Sequence, residues 1–170
     1  MTFLATAKRR CSIRTYQPTP VEQEKVDAII EAAHVAPTAA NRQPVRIVQV
    51  ESAAGLARLG KAANLHGAPL AFIVCADHDR AWRRRFDGMT STAIDASILT
   101  DHMMMEATDL GLGSVWICAF DPAIVRTEFE LAPSLEPVNI LAVGYAACEP
   151  TSPERHATER IPVSELVTIA

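Results

Sequence analysis

The chain has 170 residues, which suits one domain that can bury a real hydrophobic core without metal or disulfide staples. Its 49% hydrophobic and 21% charged residues are ordinary for a globular protein. A net charge of −4 offers no global attraction for nucleic acid or an anionic membrane, so an anionic ligand needs a local basic site.

Four cysteines, Cys11, Cys75, Cys118 and Cys148, are widely spaced and form no C-x-x-C, which argues against zinc or thioredoxin-like chemistry. They read as buried, reduced thiols of a cytoplasmic protein. Basic residues follow the apolar ones at the N-terminus, the reverse of a secretory signal. No stretch reaches the roughly 20 apolar residues of a membrane span.

Residues 2–10 fit a short opening helix. Thr19-Pro20-Val21-Glu22 reads as an N-cap, a proline at the first helical position and a glutamate at N3. Val26, Ile29, Ile30 and Ala33 continue that helix with one apolar face, and Pro37 closes it or lies just beyond. Residues 45–50 are rich in β-branched side chains and predict a strand; residues 52–61 predict a short helix closed by Gly60. The apolar run 70–75 fits a strand covered on both faces. Residues 77–91 are charged and irregular, centred on Arg83-Arg84-Arg85. A long helix is expected over 93–110 with Gly111 as its C-cap. A buried strand follows over 115–119, then a helix from Asp121-Pro122 to about Leu131. A strand over 138–145, a polar tail with prolines and a terminal edge strand over 162–167 complete the chain. The order α-α-β-α-β-α-β-α-β-β gives an α+β class, a single domain over 1–170 with a central mixed or antiparallel sheet flanked by helices.

Several signals for chemistry are missing or weak. Gly111-Leu112-Gly113 resembles half of a dinucleotide fingerprint, but it lacks the third glycine and precedes a strand where the fingerprint follows one. There is no phosphate loop of the G-x-x-x-x-G-K type, no nucleophile elbow and no paired-histidine spacing for a metal. Four short motifs remain. Arg10, Ser12 and Arg14 flank Cys11 and Ile13; in an extended segment they share one face, and two guanidinium forks with a hydroxyl suit a phosphate. Ala36-Pro37-Thr38-Ala39-Ala40-Asn41-Arg42-Gln43-Pro44 joins small residues, which let backbone approach a flat ligand, to polar groups that can orient it. Residues 111–122, with Trp116, Ile117, Cys118 and Ala119, form the third motif, and Arg160 before Pro162 is the fourth. Alone, each is weak: a solvated basic segment is the plainer reading of the first, and a turn fits the second equally well.

In their order, these motifs resemble the nitroreductase-like family of FMN-dependent oxidoreductases, in its short type I form. The family's R-x-S-x-[RK] is matched by Arg10, Ser12 and Arg14, its A-P-S-x-x-N-x-Q-P-W by Ala36, Pro37, Thr38, Asn41, Gln43 and Pro44. Its G-L-G and following strand are matched by residues 111–120, and its late arginine and proline by Arg160 and Pro162. The resemblance spans nearly the whole chain. It implies a nitroreductase-like fold and an intertwined homodimer with FMN at the subunit interface. Arg10, Cys11, Ser12, Arg14 and Arg160 would serve the phosphate and ribityl side. Trp116, Ile117, Cys118 and Ala119 would line the ring, with a backbone N–H near the flavin N5. Pro37, Thr38, Ala39 and Asn41 would come from the other subunit.

The implied activity is ping-pong hydride transfer, from NADH or NADPH through the flavin N5 to a nitroaromatic, quinone or similar small-molecule acceptor. The flavin carries the chemistry, so no catalytic side chain and no metal are expected. Flavin-fragmenting or dehalogenating relatives, and a flavin-binding or sensor protein without turnover, are the alternatives. The chain departs from the pattern at Thr38 for serine, Val45 for tryptophan and Thr158 for a second basic residue. Trp82 and Phe86 could form an aromatic lid and Arg83 to Arg85 could meet nicotinamide phosphates, although a solvated charge run is the plainer reading of that segment.

Overall fold

Secondary structure follows from local signals where these are strong. The computed structural model describes residues 2–170. Thr2 caps α1 (Phe3–Arg9) by accepting from the Ala5 amide. Ser52 does the same for α3 (Ala53–Leu59) through the Gly55 amide, and Gly60 ends that helix as its sequence predicts. Asp121 accepts from the Ala123 and Ile124 amides at the start of α5 (Pro122–Glu128), which stops three residues short of the expected end. The long helix α4 (Thr92–Asp109) is capped by Leu110, not by Gly111, which follows with φ 79°. The remaining elements are α2 (Gln23–His34), β1 (Val45–Val50), β2 (Leu70–Asp77), β3 (Gly113–Ile117), β4 (Leu135–Gly144) and α6 (Val163–Leu166), with 3-10 turns at Ala39–Asn41 and Pro153–Ala157.

The four strands form an antiparallel sheet in the order β1-β2-β4-β3. Strand β2 is central and apolar on both faces. Ala71, Ile73 and Cys75 pack on one side with Leu59 of α3 and Val125 of α5. Leu70 and Phe72 pack on the other with Val26 and Ile29 of α2 and Leu99 and Met103 of α4. Each fully buried Leu, Ile or Phe here contributes about 1.5–3 kcal/mol. Asn139 interrupts the apolar run of β4 and meets Thr100 of α4 at 3.1 Å. The Thr100 hydroxyl lies within donating distance of both Asn139 Oδ1 and, at 2.7 Å, the Ala96 carbonyl, and has one proton to share between them.

Further expectations for the elements need correction. Helix α2 begins at Gln23, not behind Thr19-Pro20. The incoming chain is held extended by the Gln17 amide donating to the Tyr145 carbonyl, and Glu22 becomes the cap with its carboxylate engaged by the Tyr145 hydroxyl. Strand β4 starts at Leu135 because a register shift between Val74 and Cys75 accommodates Pro137, which has no N–H for the ladder. The terminal edge strand is instead the single helical turn α6, and residues 157–170 are exposed throughout. Among the described residues no helix is long and apolar enough to cross a membrane.

The antiparallel register has a consequence for function. It gathers the start of β1, the end of β2, the start of β4 and the end of β3 at one end of the sheet. The segment after α1 runs along the opposite end, where Ser12 bridges Ser114 and Tyr16 bridges Ala146.

Candidate functional site

Arg10 leaves α1 with φ −53° and ψ 124°, and the chain becomes extended. The Ile13 amide donates to the Ser114 carbonyl at 2.9 Å, which docks the segment alongside β3. Ile13 is buried, while Ser12 and Arg14 are exposed and Arg10 is half-buried, as alternation demands. The Arg10 and Arg14 guanidiniums form no hydrogen bond or ion pair with any described residue, so both forks remain available to an anion. The Arg10 carbonyl is instead held by Arg155, whose Nη2 donates to it at 2.5 Å. The 3-10 turn that carries Arg155 also sets His156 against the Lys8 carbonyl at 3.1 Å. Sequence reasoning named Arg160 and missed Arg155. The structure leaves Arg160 exposed in the tail, without a hydrogen bond or ion pair to any described residue.

Strand β3 is the free edge of the sheet beyond its Ser12 bridge. Val115 and Ile117 belong to the core on the α3 and α5 side, so Trp116 takes the α4 side and is half-buried. Cys118 and Ala119 are exposed at the strand's end, where the Phe120 amide donates to the Cys118 carbonyl at 3.1 Å. The Ala119 amide has no acceptor among the described residues. Burial predicted for all four thiols holds for Cys75; Cys11 is half-buried, and Cys118 and Cys148 are exposed because both lie just outside strands.

The loop before β1 is conformationally demanding. Ala40, Asn41 and Gln43 have φ of 50°, 51° and 49°, which only asparagine of the three tolerates readily. The Gln43 amide donates to the Thr38 hydroxyl at 3.1 Å, and the Gln43 side chain donates to Asn41 Oδ1 at 3.1 Å. A fully buried carboxylate anchors the loop from α4: the Ala39 amide donates to Asp95 Oδ1 at 2.9 Å, and the Ser91 hydroxyl to Asp95 Oδ2 at 2.7 Å. Sequence reasoning missed Asp95; its only signal was one acid inside the apolar opening of α4.

Residues 78–91 form no helix or strand, as expected, but they are held in a defined turn. Arg83 and Thr90 form an antiparallel bridge, the Arg84 amide donates to the Met89 carbonyl at 2.8 Å, and Arg84 pairs with Asp87 across the turn. Phe86 stands at the tip, 96% exposed, while Trp82 is half-buried.

Two of the predicted groups therefore share one strand. Arg10, Ser12 and Arg14 sit at the start of β3 and Trp116 to Ala119 at its end, a separation of about 13 Å by strand rise. Residues 37–41 lie at the β1 edge, three inter-strand steps or about 14 Å away, at the same end as Ala119.

Comparison with known proteins identifies the family and its fold. The sequence profile of the nitroreductase family matches residues 7–64 and 57–145. The crystal structure of a nitroreductase family protein from Clostridium difficile 630 has a TM-score of 0.97 at 51% identity, over 99% of this chain and 98% of that one. The NADH dehydrogenase of Thermus thermophilus is 31% identical over 92% of this chain and 92% of its own length. The FMN reductase (NAD(P)H) of Bacillus subtilis is 32% identical over 80% of this chain, which spans 62% of that protein's length.

Proposed function

From the premise that this chain belongs to the nitroreductase family of NAD(P)H oxidoreductases, we propose that it is an FMN-dependent enzyme whose flavin lies along β3 at the interface of a homodimer. The observation that carries this reading is the pair of unengaged guanidiniums, Arg10 and Arg14, at one end of an open edge strand whose other end offers an unpaired amide at Ala119. Donors of these two kinds fit a ligand with a phosphate at one end and an acceptor-bearing ring at the other. The redox chemistry that bound FMN supplies is acceptance of a hydride from NADH or NADPH and delivery of the electron pair to a nitroaromatic, quinone or similar acceptor, in alternating visits to one place.

The chain's own residues bind and orient. Arg10, Ser12 and Arg14 hold the phosphate, Cys11 lies in that segment, and Arg160 approaches from the tail. The Ala119 amide donates toward the ring, and its fixed dipole stabilises negative charge there on reduction. Trp116 and Cys118 share the face beside it, while Ile117 contributes backbone there, its side chain lying in the core. Pro37, Thr38, Ala39 and Asn41 serve the partner's site, since within one chain the sheet separates them from β3.

A homodimer is supported by what a single chain leaves uncovered. Phe3 and Val35 are 72% and 66% exposed beside a cavity of about 690 Å³ between α1, α2 and α4. Ile161, Val163, Leu166 and Val167 are exposed along the tail. Exposed apolar side chains at these two places are what a second copy would cover.

The test is an absorbance spectrum of the purified protein after FMN addition and desalting, repeated anaerobically with NADH and with NADPH. Retained flavin that bleaches with either nucleotide is the expected result. Protein that retains no flavin overturns the proposal, and flavin that stays oxidised with both nucleotides points to binding without turnover.

A further inference from the structure

We propose that Asp95 is a positioning residue for the flavin site: its buried carboxylate fixes loop 38–43 and, through Ser91, joins that loop to the hairpin at residues 82–91. This rests on the reading of residues 37–41 as flavin contacts.

Three hydrogen bonds make the connection. The Ser91 amide donates to the Trp82 carbonyl at 3.0 Å at the base of the hairpin. The Ser91 hydroxyl donates to Asp95 Oδ2 at 2.7 Å, and the Ala39 amide donates to Asp95 Oδ1 at 2.9 Å. Each carboxylate oxygen thus grips a different segment, and the acid itself is fully buried in the first turn of α4, where the helix dipole favours a negative group.

A purely packing role does not account for this arrangement. Ala40, Asn41 and Gln43 are exposed and bury nothing, yet all three hold positive φ. Such a conformation persists only when its surroundings impose it. The Ala39 amide precedes the first of these residues, so the bond to Asp95 sets the direction in which Ala40 and Asn41 project. The hairpin, with Phe86 at its tip, is tied to the same carboxylate and shares that reference point.

The experiment titrates apo protein with FMN by fluorescence quenching and records visible circular dichroism of the bound flavin, for wild type, Asp95→Ala and Asp95→Asn. Hydrogen bonds to charged groups are strong enough that Asp95→Ala should weaken FMN about tenfold or more and change the flavin dichroism. Asp95→Asn keeps an acceptor for the Ala39 amide and should stay within about threefold of wild type. An Asp95→Ala protein within about twofold of wild type with unchanged dichroism overturns the role, as does Asp95→Asn as weak as Asp95→Ala.

Hydrogen exchange on wild-type apo protein covers the case in which Asp95→Ala does not fold. The Ala39 amide should exchange at least about tenfold more slowly than the Ala40 amide, which lacks an acceptor among the described residues, and equal rates refute the anchor. Wild type that takes up no FMN removes the flavin reading itself, and with it this role. Wild type that binds FMN alongside an indifferent Asp95→Ala removes the role alone.

Discussion

Gly113 and Ile13 approach so closely that a Cβ on Gly113 would stand 2.7 Å from Ile13 Cγ1 and 3.0 Å from Ile13 Cβ. Ile13 cannot retreat, because its side chain is 4% exposed and its amide is bonded to the Ser114 carbonyl. Gly113→Ala should therefore push the docked segment off β3, at a cost of about 1–3 kcal/mol in urea unfolding. It should also weaken FMN by moving Arg10, Ser12 and Arg14. Gly111 makes the useful contrast: its φ of 79° disfavours any side chain, but nothing lies within 4 Å of an added Cβ. Gly111→Ala should cost about 1 kcal/mol through backbone strain alone and leave FMN affinity unchanged. Equal losses of FMN affinity in the two variants would remove the steric argument.

Residues that act on their immediate neighbours were legible in the sequence. Ser52 with Gly60, and Asp121 with Pro122, mark their helices because a cap bonds amides two or three residues away. Ser12 and Arg14 were placed on one face by the alternation of an extended chain alone. Glu22 was misread because its partner is Tyr145, which β4 brings back only after the sheet has formed. Asp95 was invisible for the same reason, since its acceptor role is defined by an amide 56 residues earlier. The terminal strand failed differently: Pro162 at its start suggested an edge, but within one chain residues 157–170 are exposed and pack against nothing that selects a strand.

Arg14→Ala separates phosphate recognition from ring recognition. Its guanidinium is exposed and engages no carboxylate, so its loss should change stability by less than about 0.5 kcal/mol. FMN binding should weaken about tenfold or more, while riboflavin, which lacks the phosphate, binds wild type and variant alike. Parallel fluorescence titrations with the two ligands read the difference. A variant that loses both equally would assign Arg14 to the ring or to the fold.

Cys75 should make the protein sensitive to alkali. Burial pushes its thiol up from 9.0 to about 11, with nearby Arg126 acting in the opposite direction. The folded chain holds this proton more tightly than the unfolded chain. The resulting stabilisation is complete below the unfolded value of 9.0 and disappears as pH rises through about 11. Between about pH 8 and about pH 10.5 the group should remove roughly 2 kcal/mol. Tyr16 is also raised by burial and adds to the total, so the readout is a difference. Cys75→Ala should lose roughly 2 kcal/mol less than wild type over that interval, by urea unfolding at both pH values. Identical losses would show that the thiolate is tolerated inside.

Association should depend on the apolar tail. Val163 and Leu166 are 74% and 69% exposed on the single turn α6, and Phe3 stands out from α1. Covering one such side chain contributes about 1.5–3 kcal/mol, and an aspartate in its place adds an uncompensated buried charge. Leu166→Asp should therefore raise the dimer dissociation constant by about a hundredfold or more, measured by sedimentation equilibrium. On the proposed reading, in which residues 37–41 reach the flavin from a second copy, FMN affinity should fall with it. The fold should survive, since Leu166 packs on no core of its own chain, and far-ultraviolet circular dichroism checks that point. Wild type that sediments as a monomer while binding one FMN per chain would place the whole site within a single chain. Residues 37–41 would then have to be read as a strained turn that serves only to lead into β1.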